Sequence, residues 1–331
     1  MKERILITGV TGQDGAILAI QYLEETDALV YGLARRSSSF NLWRIAGCLE
    51  NDRFELVEGD ITDLSSLTKI FRLVKPDRIY NLAAQSHVRI SFEEPLHTLE
   101  VTGKGPVNIY EAARNVCPNA KIYQASSSEM FGSVLETPQI EETPFNPMSP
   151  YACAKTYAHQ MAEVYRVSYD MFIACGILFN HESEFRGENF VTRKITKGIA
   201  DIIASKRQTI RMGNLEAVRD WGYAPDYTRG MVKMLDQEGP CDYILATGET
   251  HSVQDFLEVC CKTVGLDWTK VYEKDERFMR PAEVNLLKGD ASRARRVLGW
   301  TPTTPFKAMI YNMLKFDFKL VGLELDNFIK E

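Results

Sequence analysis

The sequence predicts an α/β fold: a doubly wound parallel sheet covered by helices on both faces, followed by a smaller C-terminal lobe. Three observations carry this reading. Short apolar runs alternate with helically spaced segments through the first 180 residues. The runs lack the polar alternation of a half-exposed sheet, as strands buried on both sides do. A glycine-rich turn stands between the first run and the first helical segment. Strands that alternate with helices at this spacing return parallel, through right-handed crossovers.

In order, RILIT (4–8) reads as the first strand and GAILAIQYLEE (15–25) as the helix after it. ALVYGLA (28–34) is the second strand, and RFELV (53–57) the third, leading into a helix over 63–74. RIYNLA (78–83) precedes a helix around 98–116, and AKIYQAS (120–126) is the fifth strand. A long helix over 151–169 and MFIACGILF (171–179) complete the first half. After about residue 180 the polar loops lengthen, as in HESEFRGEN, NLEAVRDWGYAPD and DERFMRPAEV. DYILAT (242–247) and SVQDFLEVCCKTVG (252–265) add one more strand and helix. The expected division is a nucleotide-binding domain over 1–180 and a lobe over 181–331 that lends elements back to the sheet.

With 331 residues, 45% hydrophobic and 25% charged, the chain has an ordinary globular composition. Lysine and arginine total 39 against 45 acidic residues, a net charge of −6, so no nucleic-acid partner is expected. The seven cysteines (48, 117, 153, 175, 241, 260 and 261) are scattered without a Cys-x-x-Cys, which predicts free thiols and no metal site. MKERILITG has too short an apolar stretch for a signal peptide, and no apolar run approaches the roughly 18 residues of a membrane helix. A cytoplasmic protein without membrane contact is the expectation.

ITGVTGQDG sets Gly9, Gly12 and Gly15, with Val10, Thr11, Gln13 and Asp14, between the first strand and the first helix. Glycine lets a backbone turn tightly and approach a pyrophosphate, which then rests on the helix N-terminus. The spacing is G-x-x-G-x-x-G, and its context makes the sheet Rossmann-like. An NAD site normally carries a carboxylate at the end of the second strand. Here that strand ends in LARRSSS, with Arg35, Arg36 and Ser37 in its place. Guanidinium groups bind phosphate bidentately, which favours NADP; a solvated basic turn is the alternative.

YACAK puts Tyr151 and Lys155 four residues apart at the head of the long helix, so both face one way. A free phenol titrates near 10; a neighbouring ammonium is expected to lower that value and make Tyr151 a base. YQASSSEMFG places Ser127, Ser128 and Glu129 just past the fifth strand, at the sheet edge where ligands bind. Glu129 is useful if a carbon acid must lose a proton after oxidation, and idle otherwise.

These segments resemble the extended short-chain dehydrogenase/reductases and, within them, the GDP-mannose 4,6-dehydratase family. The resemblance runs almost end to end, through ITGVTGQDG, ARRSSSFN, GDITD, NLAAQSHV, YQASSSEMFG, SPYACAK, GILFNHES, RGENFVTRKIT, GNLEAVRDWGYAPDY, ATGETHSV and RPAEV. It implies an internal redox cycle with NADP regenerated at each turnover: oxidation at C4 of a GDP-sugar by way of Tyr151, loss of water across C5 and C6 by way of Glu129, and reduction at C6. Ser127 is expected to bond the C4 oxygen. Ser128 stands where related dTDP-sugar dehydratases carry aspartate, which leaves Glu129 as both base and proton donor.

Carried over position by position, the resemblance assigns Asp60 and Ile61 to the adenine, and Leu82, Ala83, Ala84, Gln85 and Ser86 to the ribose and nicotinamide. His181 and Arg186 match further cofactor contacts. Ser86, Ser126, Ser128, Asn180, Lys194, Arg219, Arg280 and Glu283 match positions facing the GDP-sugar. Departures are Ser127 for a usual threonine, His97 for tyrosine, Glu184 for proline, and TGKGPVN. Competing expectations are a GDP-manno-heptose dehydratase, a GDP-4-keto-6-deoxy-sugar reductase or epimerase, and a non-catalytic NADP-binding protein. Phe40, Leu42 and Trp43 in the loop after Arg36 suggest a homo-oligomer, expected as a tetramer; packing on their own subunit is the alternative.

Overall fold

The structure, a computed structural model, describes residues 2–37, 41–134, 136–278, 284 and 286–330. Its main sheet contains β1 (Arg4–Thr8), β2 (Leu29–Ala34), β3 (Phe54–Glu58), β4 (Arg78–Asn81), β5 (Lys121–Ser127), β6 (Ile173–Leu178) and β7 (Asp242–Leu245). They lie in the order β3-β2-β1-β4-β5-β6-β7, parallel throughout. The first six match the apolar runs to within about two residues at either end. β7 reaches the sheet from far along the chain, pairing Asp242 to Leu245 with Cys175 to Leu178.

The longer helices are α1 (Gln13–Glu25), α2 (Leu64–Val74), α3 (Gly105–Val116), α4 (Pro150–Tyr169), α5 (Val191–Ile203), α6 (Ala224–Leu235), α7 (Val253–Thr263) and α8 (Phe306–Leu320). On one sheet face Leu18 and Tyr22 of α1 share a core with Met231 and Met234 of α6. On the other, α2, α3 and α4 contribute Phe71, Ile109, Tyr110 and Tyr165. A separate core joins α5, α7 and α8 through Ile195, Ile199, Phe256, Leu257, Met313 and Phe318. Among the described residues no helix is long and apolar enough to cross a membrane.

Asp63, where the spacing starts the second helix, is its cap: the carboxylate accepts from the amides of Ser65 (2.9 Å) and Ser66 (3.2 Å). The helical run before β5 is longer than the spacing predicts. It begins at Pro95, and its turn Leu99–Lys104 is π-helical before α3 continues it. Pro106 explains the wider turn, because it lacks an N–H and its ring presses on the carbonyl four residues back. The sheet order reverses between β1 and β4. In such sheets that reversal opens the ligand crevice beyond the strand ends, and the glycine turn after β1 lies there.

Candidate active site

The glycine turn is shaped by contacts that exclude a side chain. Gly9 has φ +68°, and a Cβ there would lie 2.9 Å from the Ala83 nitrogen. A Cβ on Gly15 would lie 2.4 Å from the Gly9 carbonyl oxygen. The ends of β1 and β4 and the first turn of α1 therefore meet backbone to backbone. Thr8 fastens them: its hydroxyl donates to Asn81 (2.8 Å) and accepts from the amides of Leu82 (3.2 Å) and Ala83 (3.1 Å). Gly12 caps α1 without a side chain, so the first-turn amides face outward as a dinucleotide phosphate requires. The cradle fits the group expected from the sequence.

Beside it opens a cavity of about 780 Å³. Ser149 caps α4 by accepting from the Ala152 amide (3.1 Å), and Pro150 occupies the first turn. This start sets Tyr151 and Lys155 in the cavity wall together with Ser127, Ser128 and Glu129. The Ser127 side chain is hydrogen-bonded to the Tyr151 hydroxyl and accepts from the Glu129 amide (3.2 Å). Tyr151 and Glu129 are both nine-tenths buried. Burial pushes the Tyr151 hydroxyl up to about 12, against the pull of Ser127 and with the Glu129 charge adding to the rise.

The expected lowering of that value by Lys155 is not what the chain by itself provides. The Lys155 ammonium donates to the Ala125 carbonyl (2.7 Å) and stands 5.8 Å from the Tyr151 ring centre. Burial lowers Lys155 itself to about 8. Ser126 lines the cavity as well, and its hydroxyl is hydrogen-bonded to His159 Nδ1 (2.8 Å).

The segment after β6 is held from several sides. His181 Nδ1 bonds the Phe179 carbonyl (2.8 Å) and Nε2 bonds Asp14 (2.9 Å), while the ring stacks on Tyr227 at 4.7 Å. Gln13 donates to the His181 carbonyl (3.1 Å) and accepts from Ser183 (3.0 Å). Burial opposes charge on both Asp14 and His181, but their mutual attraction outweighs it, lowering Asp14 to about 2 and raising His181. Asp14, Gln13 and His181 thus brace the cradle against the segment after β6. Arg186 pairs with Glu182 (3.0 Å) and lies over the Phe190 ring, still lining the cavity.

Leu82, Ala84, Ser86, Asn180, Lys194 and Arg219 also line the cavity. Arg219 is buried and donates to the Val218 carbonyl (2.9 Å). Arg35 and Arg36 follow β2 at the sheet edge, exposed, with Ser37 beside them. Asp60 follows β3; its carboxylate accepts from the amide (2.9 Å) and hydroxyl (2.8 Å) of Thr62. Ile61 is buried and its carbonyl accepts from Asn108 (2.9 Å). The Gln85 amide and carbonyl both bond the Thr102 hydroxyl, anchoring that loop to the π-helical turn. Arg280 and Glu283 lie outside the described residues, as does Phe40.

Three arginines were not singled out by the sequence. Arg44 donates to the carbonyls of Phe185 (2.7 Å) and Thr11 (3.1 Å), tying the glycine turn to the segment after β6. Its neighbour Trp43, 44% exposed, packs between Phe185 and Phe316 of the same chain. Arg89 and Arg207 line the cavity. No short motif marks these contacts, which join residues far apart in sequence.

The family profile described as GDP-mannose 4,6 dehydratase matches residues 6–313. A Drosophila melanogaster protein named GDP-mannose 4,6 dehydratase is 47% identical over 96% of this chain and 86% of its own length. A Vibrio cholerae protein of the same name is 45% identical over 97% of this chain and 95% of its own. In fold, the chain is similar to the dTDP-glucose 4,6-dehydratase of Streptomyces venezuelae, solved with NAD and TYD (TM-score 0.86, 21% identity, 96% and 98% covered). It is also similar to UDP-glucuronic acid 4-epimerase of Bacillus cereus, solved with UDP-glucuronic acid and NAD (TM-score 0.85, 21% identity, 97% and 100% covered). With the glycine cradle, the Tyr151–Lys155 pair and Glu129 gathered at one crevice, and with this likeness along nearly the whole length, the chain belongs to the GDP-mannose 4,6-dehydratase family.

Proposed function

We propose that the protein dehydrates GDP-α-D-mannose to GDP-4-dehydro-6-deoxy-D-mannose and water. The observation that carries this is Glu129, buried in the same wall as Ser127 and Tyr151. An enzyme that only oxidised or reduced C4 would not need that carboxylate. Ser127 bonds the C4 oxygen and Tyr151 takes the C4 hydroxyl proton. The 4-ketone acidifies C5; Glu129 removes that proton and delivers one to the hydroxyl leaving C6, so one water departs. With hydride supplied to C6, the proton that Tyr151 took is given back at C5, leaving the 6-deoxy product and the site as it began. Bound NADP would supply the hydride acceptor at C4 and the donor at C6, and its positive oxidised ring would favour the Tyr151 phenolate. The test is incubation of the purified protein with GDP-mannose and no added cofactor, followed by mass measurement. Loss of one water is expected; an unchanged sugar nucleotide would sink the reading.

The cradle from Gly9 to Gly15 would hold the pyrophosphate, with Asp60, Ile61 and the stretch from Leu82 to Ser86 along the nucleoside halves. Arg35 and Arg36 favour NADP, with Ser37 beside them. Replacing both arginines with alanine should weaken NADP by about a hundredfold and NAD little, measured by fluorescence titration. Equal affinity of the parent for both cofactors would refute the choice. Asn180, Lys194 and Arg219 are read as the GDP-sugar side of the cavity, formed mainly by residues 181–331. We read the protein as cytoplasmic and, because Trp43 remains 44% exposed despite its packing, as a homotetramer. A monomeric mass in solution with full activity would contradict it.

A further inference from the structure

α4 carries Tyr151, Lys155 and His159 at intervals of four residues, on one face of the helix. Each of the three holds the end of β5. The Tyr151 hydroxyl is hydrogen-bonded to the Ser127 side chain, and the Lys155 ammonium donates to the Ala125 carbonyl (2.7 Å). His159 takes the residue between them, with Nδ1 2.8 Å from the Ser126 hydroxyl. The proposed chemistry uses Tyr151 and Ser127 and leaves His159 without a part. Its residue is only 6% exposed, and the Phe145 ring stands edge-on to the imidazole at 5.1 Å. Nε2 faces one carboxylate oxygen of Asp242, from β7, at 3.6 Å. Arg166, about two turns further along α4, donates to the other oxygen (2.6 Å) and to the Cys175 sulfur of β6 (3.6 Å). The chain of contacts thus leaves α4 at His159 and returns to it at Arg166.

A neutral imidazole has one donor and one acceptor, on different ring nitrogens. An ionised carboxylate only accepts, so the ring proton belongs on Nε2, and Nδ1 accepts from Ser126. Burial favours the neutral ring against the pull of Asp242; Arg166 and Glu163 of the same helix are the other charges acting on it. We infer that His159, oriented by Asp242, is a positioning residue of the reaction: it takes up the Ser126 hydroxyl hydrogen and fixes the strand end that carries Ser127 and leads into Glu129. This rests on the proposed function and deepens it. Ser126 is the first of three consecutive serines at the cavity edge. With its hydrogen committed to His159, it does not compete with Ser127 as a donor to the C4 oxygen. A misplacement of about 1 Å caused away from the chemistry can cost a hundredfold in rate, so the support of this strand end is a kinetic matter.

The test compares His159→Phe, His159→Gln and Ser126→Ala in the full-length protein, by kcat and KM for GDP-mannose across pH. His159→Phe should lower kcat by about tenfold and leave KM within about twofold. Ser126→Ala removes only the donor and should lower kcat as much, and the two changes together should cost no more than either. His159→Gln keeps an acceptor for Ser126 and a donor toward Asp242, and should recover most of the rate. As pH falls below 6.5 the parent ring charges, both nitrogens become donors and the Ser126 hydrogen is released. The parent should therefore lose kcat on the acid side by a limb that His159→Gln lacks. Spectra of the 15N-histidine-labelled parent at neutral pH should show His159 with a bare Nδ1 and a protonated Nε2. Parental kcat in both His159→Phe and Ser126→Ala, whatever their melting temperatures, overturns the inference, and leaves the function standing if the parent releases water from GDP-mannose. Should His159→Phe fail to fold, Ser126→Ala decides alone. A proton on Nδ1 at neutral pH, or a raised KM with kcat retained, overturns it too. A parent that leaves GDP-mannose unchanged overturns the functional reading and this inference with it.

Discussion

Asp14 with His181, and Tyr151 with Lys155, are two acid–base pairs in the wall of one cavity, yet burial leaves the first charged and drives the second toward neutrality. In the first pair, carboxylate and imidazole meet at 2.9 Å and the attraction outweighs desolvation on both sides. In the second, the Lys155 ammonium spends its hydrogen bond on the neutral Ala125 carbonyl, so desolvation wins. The hydroxyl rises to about 12 and the ammonium falls to about 8. Proximity along a helix is therefore not enough to activate a base. The braced pair holds the crevice together, while the other pair is placed to exchange a proton once a cation comes near.

The strongest way to break this comparison is Tyr151→Phe. It removes the proton acceptor and should cost about ten-thousandfold in kcat, with no reduced nicotinamide seen by stopped-flow absorbance. Residual activity within tenfold of the parent would show that another group does the work. Next comes Glu129→Gln, expected to lower dehydration by about a hundredfold while C4 oxidation survives. Reduced cofactor should then accumulate, and C5 should stop exchanging with deuterated solvent. The Tyr151 hydroxyl should also titrate lower, because the Glu129 charge contributes to its rise. Parental turnover in this variant would exclude Glu129 as the elimination base.

The smallest effect sharpens the other pair. Asp14→Asn should cost about 2 kcal/mol of stability, read as a lower melting midpoint. The pH dependence follows from the signs. Asp14 is depressed from 3.8 to about 2, so its contribution is present above about pH 4 and fades as pH falls toward 2. His181 is raised from 6.5, so its contribution is present below 6.5 and is lost as pH rises through the higher folded value. Parent minus variant stability should therefore be greatest between about pH 4 and 6.5. A difference that does not fall below pH 4 or above the raised His181 value would show that the pair is not ionised.

Much of the molecule was legible because its signals are local. β1 to β6 stand on apolar runs, and the Tyr151–Lys155 face on a four-residue spacing. What escaped depends on contacts across the fold. The Asp14–His181 bond spans 167 positions, and Arg44 reaches Phe185 across 141. The Ser126 hydroxyl turns to His159 for a reason visible only once α4 lies against β5. The π-helical turn before Pro106 shows another limit: proline announces disturbance, but whether a helix breaks or widens depends on what packs around it.

The arrival of β7 from far along the chain also sets an order of events during synthesis. β6 is buried along its whole length, but its outer edge is covered only when Asp242–Leu245 pairs with it. Residues 179–241 must leave the ribosome first. At about 5–20 residues per second, that interval is on the order of 3–13 seconds. Throughout it, a nascent chain can already form most of its parallel sheet while presenting Ile173–Leu178 as an open, apolar strand edge. Chains arrested between β6 and β7 should therefore be the most prone to aggregate, and the step that completes the sheet also ends that exposure.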